Sequence, residues 1–288
     1  MRALDHSPGS RAHAERSGQL SPGAIGLLGA DAKVGLLATV DPQGLPHVTL
    51  ITSLTATGPG QLMFGQFSEG LSKTYVRAHP QIGFLALDGD RHWLRGKAVW
   101  RSAARQGEDF EAYNRKPMFR YNAYFGIHTV HYLDVVEVEE GGQLGVSSLV
   151  AGAALARAVR IAAVARRETP ALTPWAVTLV SRAATLKFAS YVGADGHPCI
   201  VPGVAACTAG PGRLVVACPG DDEVVAGMAQ GAGVAVFALD RALHSVLVRG
   251  RPTRFRRVGG TRVAALDIDW VYNSMPPKHG QIFPPLSC

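Results

Sequence analysis

The chain repeats itself. The stretch LLATVDPQGLPHVTLITSLTATGPGQLMF from Leu36 and the stretch FASYVGADGHPCIVPGVAACTAGPGRLVV from Phe188 align at a constant shift of 152 residues. That shift places Gly44 on Gly196, Pro46 on Pro198, and Gly58-Pro59-Gly60 on Gly210-Pro211-Gly212. It also carries Ala86-Leu87-Asp88 onto Ala238-Leu239-Asp240, after which a two-residue insertion brings Arg95-Gly96 to Arg249-Gly250. A repeat of this length, with both turns in register, means two copies of one supersecondary unit, and any fold assigned to one copy must also serve the other.

The unit reads as mainly β. VGLLATV from Val34 is an apolar, β-compatible run, and Asp41-Pro42-Gln43-Gly44 has turn chemistry. PHVTLITSLTA alternates as one strand should, and Gly58-Pro59-Gly60 turns it back into QLMFGQF as a hairpin. LSKTYVRAH reads as a two-turn helix stopped by Pro80, followed by strands IGFLALD and HWLRGKAVWRSA. Residues 106–118 read as helix and VHYLDVVEVEE as a sixth strand. The organisation predicted is a flexible tail over 1–20, a first unit over 21–142, an Ala-rich helical linker over 143–184 and a second unit over 185–288. Pro170 and Pro174 divide the linker into two helices.

Composition narrows the function classes. The net charge of +7 comes from scattered Lys and Arg with no basic run, so nucleic acid is not the expected partner. The four cysteines form no C-x-x-C pair, which points to reduced thiols, no metal site and a cytoplasmic compartment. The first twenty residues lack the apolar core of a secretory signal. The apolar stretch from Ser148 to Ala165 carries Arg157 and Arg160, against a membrane span. His128 and His131 fall on opposite faces of a strand, which disfavours joint metal binding.

The segment Gly70-Leu71-Ser72-Lys73 opens a short helix. Free backbone N–H groups there favour an anion, and the Ser72 hydroxyl and Lys73 ammonium add a donor and a charge. Arg77, one turn on, adds charge. An ordinary exposed helix start is the alternative from local sequence alone. The second copy places Val224, Val225 and Ala229 at these three positions, so only the first can hold a phosphate this way.

GLLATVDPQGLPHVTLI, LMFGQF, Gly70-Leu71-Ser72-Lys73 and HPQIGFLALD together resemble the pyridoxamine 5′-phosphate oxidase-like, FMN-binding split β-barrel family. The resemblance covers about 33–140 well and 185–275 more weakly, through the repeat. It implies two tandem split β-barrels forming an intrachain pseudo-dimer, with a homodimer of such chains as a further option. It also implies FMN in the groove between barrels, its phosphate on Ser72, Lys73 and Arg77, and ring contacts from His47, Thr49, Thr52 and Gln66. The C-terminal run from Asp269 to Gln281, with Lys278 and His279, is rich in aromatic and polar side chains and stiffened by prolines, and is expected either to cover the ring or to pack as a tail across the barrel. The function so implied is an FMN-dependent oxidoreductase acting on a small molecule, with no catalytic acid or base assigned. A non-catalytic flavin-binding or storage protein, and a barrel binding haem or a deazaflavin, are the alternatives.

Overall fold

The computed structural model describes residues 16–67, 69–115, 126–160, 170–218, 222–258, 261–275 and 279–286. The first half contains β1 (Arg16–Ser17), α1 (Pro22–Gly29), β2 (Lys33–Val40), β3 (Pro46–Leu50), β4 (Thr55–Gly58), β5 (Gln61–Gln66) and α2 (Leu71–Ala78). It continues through β6 (Gln81–Asp88), β7 (His92–Ala104), α3 (Glu108–Arg115) and β8 (Thr129–Gln143). Helix α4 (Val146–Val159) follows. The second half comprises α5 (Pro174–Ser181), β9 (Leu186–Val192), β10 (Pro198–Pro202), β11 (Ala205–Thr208), β12 (Arg213–Cys218) and α6 (Asp222–Gln230). It ends with β13 (Val234–Leu239), β14 (Ser245–Pro252), β15 (Arg256–Val258), β16 (Thr261–Asn273) and β17 (Gly280–Phe283).

The two sheets have the same strand order. The first runs β3-β2-β6-β7-β8-β5-β4 and the second β10-β9-β13-β14-β16-β12-β11, all antiparallel. Each is a curled sheet whose two edge strands are consecutive in the chain, so the fold is two tandem split barrels. The segment from Pro46 to Ala56, expected as one strand, is two. The chain turns at Ile51–Leu54, where the Ile51 amide donates to the Gly35 carbonyl at 2.7 Å. β3 then pairs with β2 and β4 with β5. Gly35 makes this corner possible, because a Cβ there would strike the Ile51 carbonyl.

The repeat begins earlier than the strand pattern indicates. Ser21 caps α1 by accepting from the Ala24 amide at 3.1 Å, and Thr173 caps α5 from the Ala176 amide at 3.3 Å, each followed by proline. These positions also differ by 152, so the second helix of the expected linker is the opening helix of the second copy.

Each half has its own core. One is centred on Leu37, Phe64, Phe84 and Leu133, the other on Val216, Met228, Val236 and Val248. A third apolar cluster joins them: Leu36, Val48 and Leu85 of the first half pack with Phe188, Ile200 and Phe237 of the second, which are their repeat counterparts. The halves therefore meet through equivalent surfaces, as in a twofold dimer. Gly83 lies at this interface, where a Cβ would meet the backbone of Pro198. Gly83→Ala is expected to cost about 1–3 kcal/mol in urea unfolding, as overpacking does. Gly89→Ala, with open space around its Cβ, is the matched control. Among the described residues no helix is long and apolar enough to cross a membrane.

Candidate functional site

Helix α2 turns its first-turn polar groups inward. Gly70 is its N-cap, with extended backbone and no side-chain cap, so its leading N–H groups lack a capping side chain. Ser72 and Lys73 are only 2% and 9% exposed. The Ser72 and Thr49 hydroxyls share a short hydrogen bond that ties α2 to β3. Burial pushes the Lys73 ammonium below its ordinary pKa, while the Glu69 charge pulls it back up. Among the described residues nothing accepts a hydrogen bond from it. A buried cation without an acceptor is costly unless an anion completes it.

A cleft of about 270 Å³ opens in front of these groups. Its walls include His47, Thr49, Thr52, Ser72 and Lys73 from the first half, and Leu243, Tyr272 and His279 from the second. His47 sits edge-on to Tyr75, Trp270 and Tyr272, at ring distances of 5.5, 5.9 and 5.4 Å. Trp270 and Tyr272 stack on each other at 5.3 Å. His47 Nδ1 is buried and has no hydrogen-bond partner. Burial, and then the charges of Arg249 and Lys73, push the His47 imidazole down to about 3, so it is neutral at physiological pH.

The sign of that shift fixes a pH dependence. The unfolded chain takes up the His47 proton near pH 6.5, whereas the folded chain takes it up only near 3. The contribution is thus fully present above 6.5 and is lost as pH falls toward 3, on the order of a few kcal/mol. In urea unfolding at stepped pH, His47→Leu should show a shallower loss across that window than the parent chain.

Strand alternation places Thr52 on the face opposite His47 and Thr49. In the structure it shares their cleft, because β3 ends at Leu50 and the corner swings Thr52 round. Gln66 does not line the cleft. Its Oε1 accepts from His131 Nε2 at 2.7 Å, while Trp100 Nε1 donates to His131 Nδ1 at 3.2 Å, inside the first barrel. His131 accordingly has no joint site with His128, whose Nδ1 bonds to Thr129. Arg77 is exposed in the last turn of α2 and is absent from the cleft wall. Lys278 lies outside the described residues; His279 is on the wall, 6.5 Å from the Tyr272 ring. The C-terminal run is mostly a strand: β16 extends to Asn273, and β17 pairs back onto it.

Sequence reasoning misses Tyr75, Leu243 and the pair Asp41–Arg249. Tyr75 is within its reach, three residues after Ser72 on the same helix face. Arg249 donates to Asp41 Oδ2 at 2.5 Å across the two halves, with both side chains buried. It also lies over the Trp270 ring at 4.6 Å. Its repeat counterpart Arg95 instead forms its ion pair within its own half, with Glu139 at 2.7 Å, and reaches the second half through the Ile200 carbonyl at 3.3 Å. The register explains the exchange: Arg95 faces Glu139 across the ladder, and Arg249 faces Trp270.

The corresponding surface of the second half lacks this chemistry. A cleft of about 390 Å³ there is lined by Cys199 and Val224, in place of His47 and Ser72, and by Gly227 in place of Tyr75. The Tyr191 ring fills the space above Gly227. The charges in it are paired with one another, Arg95 with Glu139 and Lys97 with Glu137 and Asp195.

No protein-family model and no curated protein matches the chain. Among solved structures it is similar to an FMN-binding protein from Syntrophomonas wolfei subsp. wolfei, at 17% identity and TM-score 0.35, over 40% of this chain and 81% of that one. It is also similar to an F420 reductase, at 19% identity and TM-score 0.34, over 42% of this chain and 98% of that one. A third is a FAD-binding protein from Mesorhizobium loti, at 14% identity and TM-score 0.30, over 44% and 97% of the two chains.

Proposed function

We propose that the cleft of the first half holds FMN and that the chain is an FMN-dependent oxidoreductase acting on a small molecule. The observation that carries this reading is the buried Lys73 ammonium, beside the Ser72 hydroxyl at the start of α2, with no acceptor among the described residues. A phosphomonoester supplies the missing acceptors: Lys73 neutralises it, Ser72 donates to it, and the leading N–H groups of α2 add their dipoles. His47 Nδ1 is a second polar atom left open on the same wall. It suits hydrogen bonding to a heteroaromatic ring, and neutral His47 adds no competing charge. Tyr272, from the second half, supplies an aromatic face on the cleft. When bound, a flavin supplies the electron-transfer chemistry. The chain's own residues bind and orient it.

The absorption spectrum of the untreated protein tests the reading, with flavin bands expected. A Soret band would point to haem, and a deazaflavin spectrum to that cofactor. Repeated cycles with added reductant and acceptor are expected for the oxidoreductase. A single reduction without turnover would identify a flavin carrier instead.

A further inference from the structure

The duplicated fold has a second corner equivalent to the one beneath the first cleft, and it has been rebuilt. Lys187 stands at the repeat position of Gly35, the glycine that lets the first corner close tightly. Gly203, at the position of Ile51, takes a positive φ of 73°, and the corner opens into a cavity of about 400 Å³. Thr185, Lys187 and Val204 of the second half line it, with Arg91 of the first half and Val146 and Val150 of α4. The first cleft and this cavity are thus repeat counterparts at their rims: Leu243 borders the first where Arg91 borders the second, each at the same turn position with positive φ.

Two features of the cavity call for a ligand, and they specify its chemistry. Thr185 and Arg91 line it, their Oγ1 and Nε atoms are buried without a hydrogen-bond partner, and Thr185 as a whole is 4% exposed. Lys187 Nζ donates to the Arg182 and Thr185 carbonyls at 2.8 and 3.1 Å, which leaves one of its three N–H groups without an acceptor among the described residues. Burial lowers its pKa to about 8, yet it remains largely charged at neutral pH. These groups need acceptors and negative charge. On the other side, Val146 and Val150 are 50% and 59% exposed, large apolar side chains one helical turn apart on the cavity rim. They offer apolar contact to the body of a ligand.

We propose that this cavity is a second ligand site, for a small organic carboxylate with an apolar body. The carboxylate meets Arg91, Thr185 and Lys187, and the body lies against Val146 and Val150 of α4. The volume falls within the usual range for small-molecule sites, ~300–1,000 Å³. The site is distinct from the proposed flavin cleft and does not depend on it.

Isothermal titration of the full chain with octanoate tests this, with 1-octanol as the uncharged analogue. Saturable one-to-one binding is expected for octanoate, and binding about tenfold or more weaker for octanol. Thr185→Val and Arg91→Gln should each weaken octanoate by about tenfold, because each removes a donor to a charged group. Saturating FMN should leave octanoate affinity unchanged, whether or not FMN itself binds. Absence of saturable octanoate binding, equal affinity for octanol, undiminished binding in both variants, or displacement by FMN would each overturn the proposal. Lys187→Met is a third variant, read only if its circular dichroism matches the parent; otherwise Thr185→Val and Arg91→Gln decide.

Discussion

Arg249→Met is expected to lower the unfolding free energy by about 3–5 kcal/mol, the usual cost of leaving one buried charge without its partner. The stranded group is Asp41, whose Oδ2 accepts from Arg249 and whose Oδ1 accepts from the Gln43 and Leu45 amides at 2.9 Å each. Asp41 is therefore the centre of the turn between β2 and β3 as well as the anchor of the second half. The guanidinium also covers the Trp270 ring, so its loss loosens the aromatic group around His47. Urea unfolding followed by circular dichroism measures the cost. The double variant Asp41→Asn with Arg249→Met should recover part of it. No buried charge then remains at the pair, and the carboxamide oxygen introduced by Asp41→Asn can still accept from the turn amides. A single variant as stable as the parent would mean that water reaches the pair and that it adds nothing to the joining of the halves.

The second large effect is on the cofactor. Ser72→Ala combined with Lys73→Ala should weaken FMN binding about a hundredfold or more, since each side chain removes a charge-assisted hydrogen bond worth ~1.5–3 kcal/mol. Fluorescence quenching of FMN on titration with protein reads this directly. Val224→Ala, at the position of Ser72 in the second half, should leave affinity unchanged. The fold should tolerate the double substitution: the Ser72–Thr49 hydrogen bond is lost, but removing a buried ammonium that has no acceptor among the described residues relieves a desolvation cost. Equal weakening by Val224→Ala would mean that both halves contact the phosphate.

Much of this is legible in the sequence because a repeat compares each residue with its own counterpart. The contrast of Ser72 and Lys73 with Val224 and Val225 locates the asymmetry without any coordinates, and the turns at Gly44 and Gly196 fix the register of both copies. What fails is local. Strand alternation runs through Ile51–Leu54 without a break, because the corner there is set by Gly35, which packs on it from another strand. Gln66 carries the right chemistry, but its partner His131 comes from β8, and no spacing rule reports that pairing. The exchange of partners between Arg95 and Arg249 is equally hidden. It depends on Glu139 and Trp270 facing them across a ladder whose register the sequence does not print. The opening helix of the second copy is readable, since Ser21-Pro22 and Thr173-Pro174 obey the same shift as the strands, yet its Ala-rich surroundings disguise it as linker.

The central claim is that one half of the duplicated chain grips the anionic end of a cofactor and the other half serves as its wall. Flavin released from FMN-saturated, gel-filtered protein, quantified by absorbance against chain concentration, tests it most directly. One FMN per chain is the predicted result. A ratio near two, or no retained flavin at all, would contradict it.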